Sequence, residues 1–132
     1  DINSLKLPPI RNIMDINKTI KELKQRPEFT DNVGMILIHN GVVRNWSRKD
    51  REKVTALEVT PDFDKIEELR QEYLKSEGIF DIIIKAYSGT FQPGDDLLYI
   101  IVAGDIRENI KPVLADLLDR IKAEAVTKRE IF

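Results

Sequence analysis

The chain has 132 residues, 42% of them hydrophobic and 33% charged, with a formal net charge of −2. That length supports one domain with a real core, expected over residues 1–132, and the near-neutral charge carries no overall polyanion-binding signature, so any basic site must be local. There is no cysteine and a single histidine, His39, which excludes disulfides, thiolate nucleophiles and Cys/His zinc sites, and leaves no metal site to expect. No apolar run approaches the length of a membrane span and no signal-peptide pattern opens the chain, so the expected location is the cytoplasm, with no membrane partner. The chain begins at Asp1 rather than Met, as one lacking N-terminal residues would.

In chain order, "DINSLKLPPIRNIM" contains Pro8 and Pro9 and reads as an extended arm or edge strand. A first helix follows, capped by Asp15 or Asn17, with Ile16, Ile20 and Leu23 at helical spacing and Pro27 ending it. Val33 to Arg44 is apolar enough for a largely buried strand, and Gly34 and Gly41 within it imply a bulge or a close backbone approach. "KVTALEV" alternates as a partner strand should. The next segment carries helix signals: Thr60 as cap before Pro61, Asp62 and Asp64 at the positive helix start, and a stripe of Phe63, Ile66, Leu69 and Tyr73, with Gly78 as terminator. "IFDIIIKAYSG" and "DDLLYIIVAG" are β-rich runs joined by "TFQPG", read as a hairpin. The last helix is expected from about Asp105 to Glu124, with Ile110, Val113, Leu114, Leu117, Leu118 and Ile121 facing inward; Pro112 either kinks it or marks a late start. "AVTKREIF" forms a closing strand. Hairpins interleaved with three helices define an α+β fold with a mostly antiparallel sheet.

The phosphate-loop, dinucleotide and metalloprotease motifs are all absent. Asp95 and Asp96 in "QPGDD" lack the ligand count for a divalent cation, and a Pro-Gly turn with acidic, solubilising residues explains them. His39, within the strand, reads as a packed or hydrogen-bonded residue more readily than as a base. Five basic residues, Arg44, Arg48, Lys49, Arg51 and Lys53, fall within ten positions. Arg44 stands apart because it ends a strand, where rigid backbone presents a guanidinium as a bidentate anion clamp. Trp46 in the same stretch either stacks on a planar ligand, clamps a partner chain or folds back on the sheet. Arg107, Lys122, Lys128 and Arg129 lie towards the other end. A full helix separates Arg107 from Lys122, so sharing a site requires a second chain or folded-back loops.

The succession of "VGMILIHNGVVRN", a helix after "ALEVTPDF", "YSGTFQPGDDLLYIIVAG" and "LLDRIKAEAVTKRE" resembles the large, catalytic subunit of molybdopterin synthase, from about Ile10 to Glu130. Its anchors are G-x-V-R-N at Gly41 to Asn45, G-x-x-x-P-G-D at Gly89 to Asp95, and Lys-Arg-Glu at Lys128 to Glu130. The resemblance implies an α/β hammerhead fold, a homodimer, and a ubiquitin-like small subunit whose C-terminal Gly-Gly thiocarboxylate supplies sulfur to a cyclic pyranopterin monophosphate. No cofactor of its own is implied, and the absent cysteines are accounted for because sulfur arrives on the partner. It assigns catalysis to Lys122 and Lys128, and binding of the phosphorylated pterin to Arg44, Arg107 and Arg129. Clustered cations depress one another's proton affinity, which suits a lysine that moves protons near neutral pH.

The sequence departs from the family pattern in several places: one residue is missing between Lys122 and Lys128, and the acidic-aromatic segment after the basic loop is reduced to "LEVT". Ile106 stands where the family has His before the helix-start Arg, and Ala125, Val126 and Thr127 replace an aromatic-rich segment before the final Lys. A non-catalytic interaction or regulatory relative on the same scaffold is therefore the alternative. Nucleic-acid binding through "RNWSRKDREK" rests only on its basic residues and one Trp, and the net acidity opposes it. The basic residues beyond Arg44 read as solvated, or as a loop that orders on substrate.

Overall fold

The computed structural model describes residues 14–132, so the opening arm up to residue 13 lies outside the described residues. The elements are α1 (Ile16–Lys24), α2 (Phe29–Asn32), β1 (Met35–Val42), β2 (Ala56–Pro61), α3 (Phe63–Leu74), β3 (Ile79–Ala86), β4 (Gly89–Phe91), β5 (Asp96–Gly104), α4 (Arg107–Arg120), a π-helical turn (Ile121–Ala125) and β6 (Val126–Ile131). They form two three-stranded antiparallel sheets, ordered β1-β5-β3 and β4-β2-β6. The expected α+β class and antiparallel pairing are both present.

The first sheet is built on β5. Its run "LLYIIVAG" is buried throughout, as a strand hydrogen-bonded on both edges and covered on both faces must be. On one face Ile100 and Val102 join the main core with Ile82, Ile110, Leu117 and Ile121, all essentially inaccessible. On the other, Ile101 and Ala103 meet Leu23 of α1 together with Phe29 and Phe80, whose rings pack edge to face at 5.8 Å. Each such aliphatic side chain contributes about 1.5–3 kcal/mol by leaving water.

Local chemistry sets the helix ends. Asp15 caps α1 by accepting from the Lys18 amide at 3.1 Å, as one of the two expected caps. For α3 the cap is Asp62, which accepts from the Lys65 amide at 3.0 Å, and not Thr60: Pro61 completes β2 and the helix starts two residues later. The α3 stripe buries Ile66 and Leu69, whereas Phe63 stays exposed at the first turn. The four-residue α2 carries no sequence periodicity and was not expected. Helix α4 runs through Pro112 from Arg107, so the proline does not mark a late start. Its C-terminal turn is π-helical, and this loosened turn carries Lys122.

One strand pairing differs from expectation. "KVTALEV" does not pair with β1; β2 crosses to the second sheet, between β4 and β6, because residues 43–55 form a long connection. The β3 and β5 runs do pair, with Ala86 opposite Leu98, but their link is longer than a hairpin loop and contains β4, which joins β2. Each of the two alternatives expected of the glycines is found, a bulge at Gly41 in β1 and a close approach at Gly34 just before it. The register shifts between Gly41 and Val42, and a Cβ at Gly34 would lie 2.3 Å from the Asp105 carbonyl oxygen.

Truncating the centre of β5 should be costly: Ile100→Ala is expected to lower unfolding free energy by about 2–5 kcal/mol, read from urea denaturation. A change below about 1 kcal/mol would show that the strand is not the packed centre of the fold.

Candidate functional site

The register shifts at Gly41/Val42, and β1 keeps its pairing with β5 through Val42, opposite Asp96. There the chain is pinned to the turn before β5: the Val43 amide donates to the Asp95 carbonyl at 2.9 Å and the Gly94 amide to the Val43 carbonyl at 2.8 Å. Gly94 has φ +94°, which an L side chain rarely adopts, so this close turn depends on glycine. The pinned strand end and the loop after it, with β2 and β6, line a cleft of about 620 Å³. Its cationic lining is Arg44, Arg48 and Lys49 from one side and Lys122 and Lys128 from the other, with His39 on the β1 wall.

Strand alternation decides which β6 residues face the cleft. Val126, Lys128 and Glu130 line it, together with Leu57, Val59 and Pro61 of β2. Arg129, between them, faces away and makes a two-pronged pair with Glu58 at 2.8 Å on each prong. Lys122 reaches the cleft from the π turn, which is held by Arg120 donating to Glu124 at 2.8 Å, by the Lys65–Glu124 ion pair at 3.5 Å, and by the Asp62 amide on the Ala125 carbonyl at 2.7 Å. Arg107 is not part of this cleft. It sits exposed at the start of α4, ion-paired with Glu108 at 3.2 Å and next to the exposed Ile106.

The basic loop is more ordered than a solvated run. Trp46 lies between two guanidiniums, with Arg44 Cζ 4.6 Å and Arg51 Cζ 3.9 Å from its ring. The buried Ser47 hydroxyl donates to Glu130 Oε1 at 3.1 Å, and the Val54 amide to the Asn45 carbonyl at 2.9 Å. Thus Trp46 packs within the protein and also lines the cleft. Arg48 and Lys49, given no role from sequence, stand at its rim. Their place depends on the Ser47–Glu130 contact across 83 positions, which no local pattern reveals.

Electrostatics follow from the crowding of like charge. Partial burial, and then the Lys122 and Arg44 charges, hold the Lys128 ammonium below its usual range. Burial, and then Lys122 and Lys128, likewise hold the His39 imidazole below its ordinary value. Three cationic side chains from distant segments therefore converge with a readily neutral histidine, an arrangement suited to binding an anion and moving a proton beside it. Among the described residues no three His, Asp or Glu side chains gather as metal ligands, and no helix is long and apolar enough to cross a membrane.

The described residues thus form an α+β scaffold with a cleft that gathers Arg44, Arg48, Lys49, Lys122 and Lys128. The family model described as "MoaE protein" matches residues 11–124, and the chain belongs to that family. No curated protein matches the sequence. Among solved structures it is similar to a molybdopterin synthase from Staphylococcus aureus (22% identity, TM-score 0.71, 94% of this chain and 86% of that one). It is also similar to a molybdopterin cofactor biosynthesis protein E from Burkholderia multivorans (22%, 0.69, 91% and 85%). A third likeness is to a complex of subunits 1 and 2 of the molybdopterin-converting factor from Helicobacter pylori (15%, 0.65, 89% and 78%). At these identities the likeness is one of fold.

The depressed Lys128 proton affinity leaves more neutral amine below its usual titration range, and removing a like charge should reverse this. In Lys122→Met, acetylation of Lys128 at pH 8, quantified by peptide mass spectrometry, is expected to slow relative to the parent chain. An unchanged rate would mean that the two ammoniums do not feel each other.

Proposed function

We propose that the chain is a molybdopterin synthase large subunit, which adds sulfur from a thiocarboxylated, ubiquitin-like small subunit to a cyclic pyranopterin monophosphate to form the dithiolene. The carrying observation is that Arg44, Lys122 and Lys128, far apart in sequence, line one cleft in a chain of the MoaE family. In this reading Arg44 holds substrate phosphate and the thiocarboxylate sulfur bonds to the pterin side chain; the lysines stabilise the oxyanion that develops as water then attacks the acyl carbon, breaking its bond to sulfur and releasing the small subunit as a carboxylate. The proton-poor Lys128 accepts and returns a proton during transfer, a role that contributes typically about 10²–10⁴-fold. Sulfur comes from the partner, in keeping with a chain that has no cysteine.

The partner assignment is supported by the two-subunit nature of the Helicobacter pylori likeness. In this reading the chain is a homodimer in which Arg107 of a second copy would complete the cleft, answering its distance from Lys122 within one chain. Arg129 would have to leave Glu58 to join the substrate ligands. The reaction belongs in the cytoplasm.

A second reading, a non-catalytic relative that keeps the docking surface, is favoured by Ile106, which is half exposed where the family has His. The two part on a single assay. With thiocarboxylated small subunit and cyclic pterin, the parent chain should yield dithiolene product by mass spectrometry, and Lys128→Ala should lose about 10²–10⁴-fold in rate while retaining fold and small-subunit binding. No product from the parent chain, with partner binding intact, would favour the non-catalytic relative; a fully active Lys128→Ala would remove the assigned role of Lys128.

A further inference from the structure

His39 is the only histidine in the chain, and neither the resemblance nor the reading above gives it a role. Its side chain lies on the cleft wall, half-buried, and its Nε2 is buried without a hydrogen-bond partner. Buried polar nitrogens are nearly always bonded, so an orphan in a cleft wall marks a place where a ligand atom belongs. Gly41, two residues along the same strand face, leaves room beside the imidazole: a Cβ there would lie 3.2 Å from Nε2.

We propose that His39 is a ligand-contacting residue of the cleft that takes up a proton when a dianion docks against Lys122 and Lys128, and then donates Nε2–H to that anion. The inference deepens the reading above and takes from it the identity of the physiological ligand, a phosphate monoester. Burial, and then the two ammoniums, disfavour a further positive charge and hold the imidazole's proton affinity below its ordinary value. A dianion cancels that repulsion and supplies the acceptor that Nε2 lacks. By linkage, the anion strengthens proton binding as much as the proton strengthens anion binding.

The groups around His39 fit this behaviour. The π turn brings Lys122, β6 brings Lys128 and Glu130, and the loop after β1 brings Arg44, Arg48 and Lys49. Glu130, the one carboxylate among them, accepts from Ser47. On β5 the residue paired with His39 is the apolar Ile100, and the buried face of α4 carries Ile110, Val113, Leu114 and Leu117. The charges that shift the imidazole are those of Lys122 and Lys128, so an anion docked against them eases its protonation. The consequence for chemistry is a proton held in the cleft more readily when it is occupied.

A lone histidine makes the test direct. The imidazole is titrated by NMR in sulfate and in chloride at matched ionic strength, sulfate being a dianion across the whole range. The expected midpoint lies below the ordinary histidine value in chloride and moves upward in sulfate. His39→Phe, which keeps a ring of similar size, should bind sulfate severalfold more weakly than the parent at pH 6 and equally at pH 8. An imidazole midpoint that ignores sulfate, or a pH dependence of sulfate binding that survives in His39→Phe, overturns the proposal. A responsive imidazole in a chain that yields no dithiolene would leave this inference standing and the sulfur-transfer reading fallen; an unresponsive one in an active chain would do the reverse.

Discussion

The molecule depends on one strand being hydrogen-bonded on both edges and buried on both faces. Asp96–Gly104 can occupy that position only because nearly every side chain from Leu97 onward is apolar, and its antiparallel partner β1 inherits a fixed register from it. His39 lies opposite Ile100 and Gly41 opposite Leu98, so the wall of the cleft is set by core packing rather than by any loop. The chain leaves this sheet after Val42, and the bonds between Val43 and the Gly94–Asp95 turn fix where it leaves. Arg44 is one residue beyond that clamp.

The opposite wall is assembled on the second sheet, and the π turn joins the two halves. Helix α4 packs its apolar stripe on the first sheet, then loosens by one hydrogen-bond step over Ile121–Ala125 before feeding β6. Ile121 and Ala125 remain buried while Lys122, between them, is exposed to the cleft. Concentrating Lys122, Lys128 and Arg44 costs electrostatic free energy, and the segments that carry them are held by Glu124 with Arg120 and Lys65, by Glu58 with Arg129, and, within the cleft lining, by Ser47 with Glu130. A site preorganised in this way favours a ligand that removes the repulsion, which means an anion.

Much of this was legible in the sequence, for identifiable reasons. Strong periodicity and cap chemistry gave α1, α3 and α4, and Gly34 and Gly41 declared a bulge or a close approach. The pairing of β2 was misread because adjacency in sequence favours a hairpin, whereas the 43–55 connection is held by contacts with β6 that local patterns do not encode. The fates of Arg48, Lys49 and Trp46 were hidden for the same reason. Arg129 and Lys128 are neighbours in sequence, yet strand alternation sends one to Glu58 and the other to the cleft, a distinction available only once the β2–β6 register is known. His39 looked like an ordinary strand residue because its significance lies in an unpaired nitrogen, and pairing is a property of three dimensions.

The central claim is that three remote segments build one site for a phosphorylated ligand. A crystal structure of the chain soaked with cyclic pyranopterin monophosphate tests it most directly. The account predicts the phosphate seated among Arg44, Lys122 and Lys128, with the ring system against the His39 wall. Density for the ligand on another surface, or a cleft left empty at saturating ligand, would contradict it.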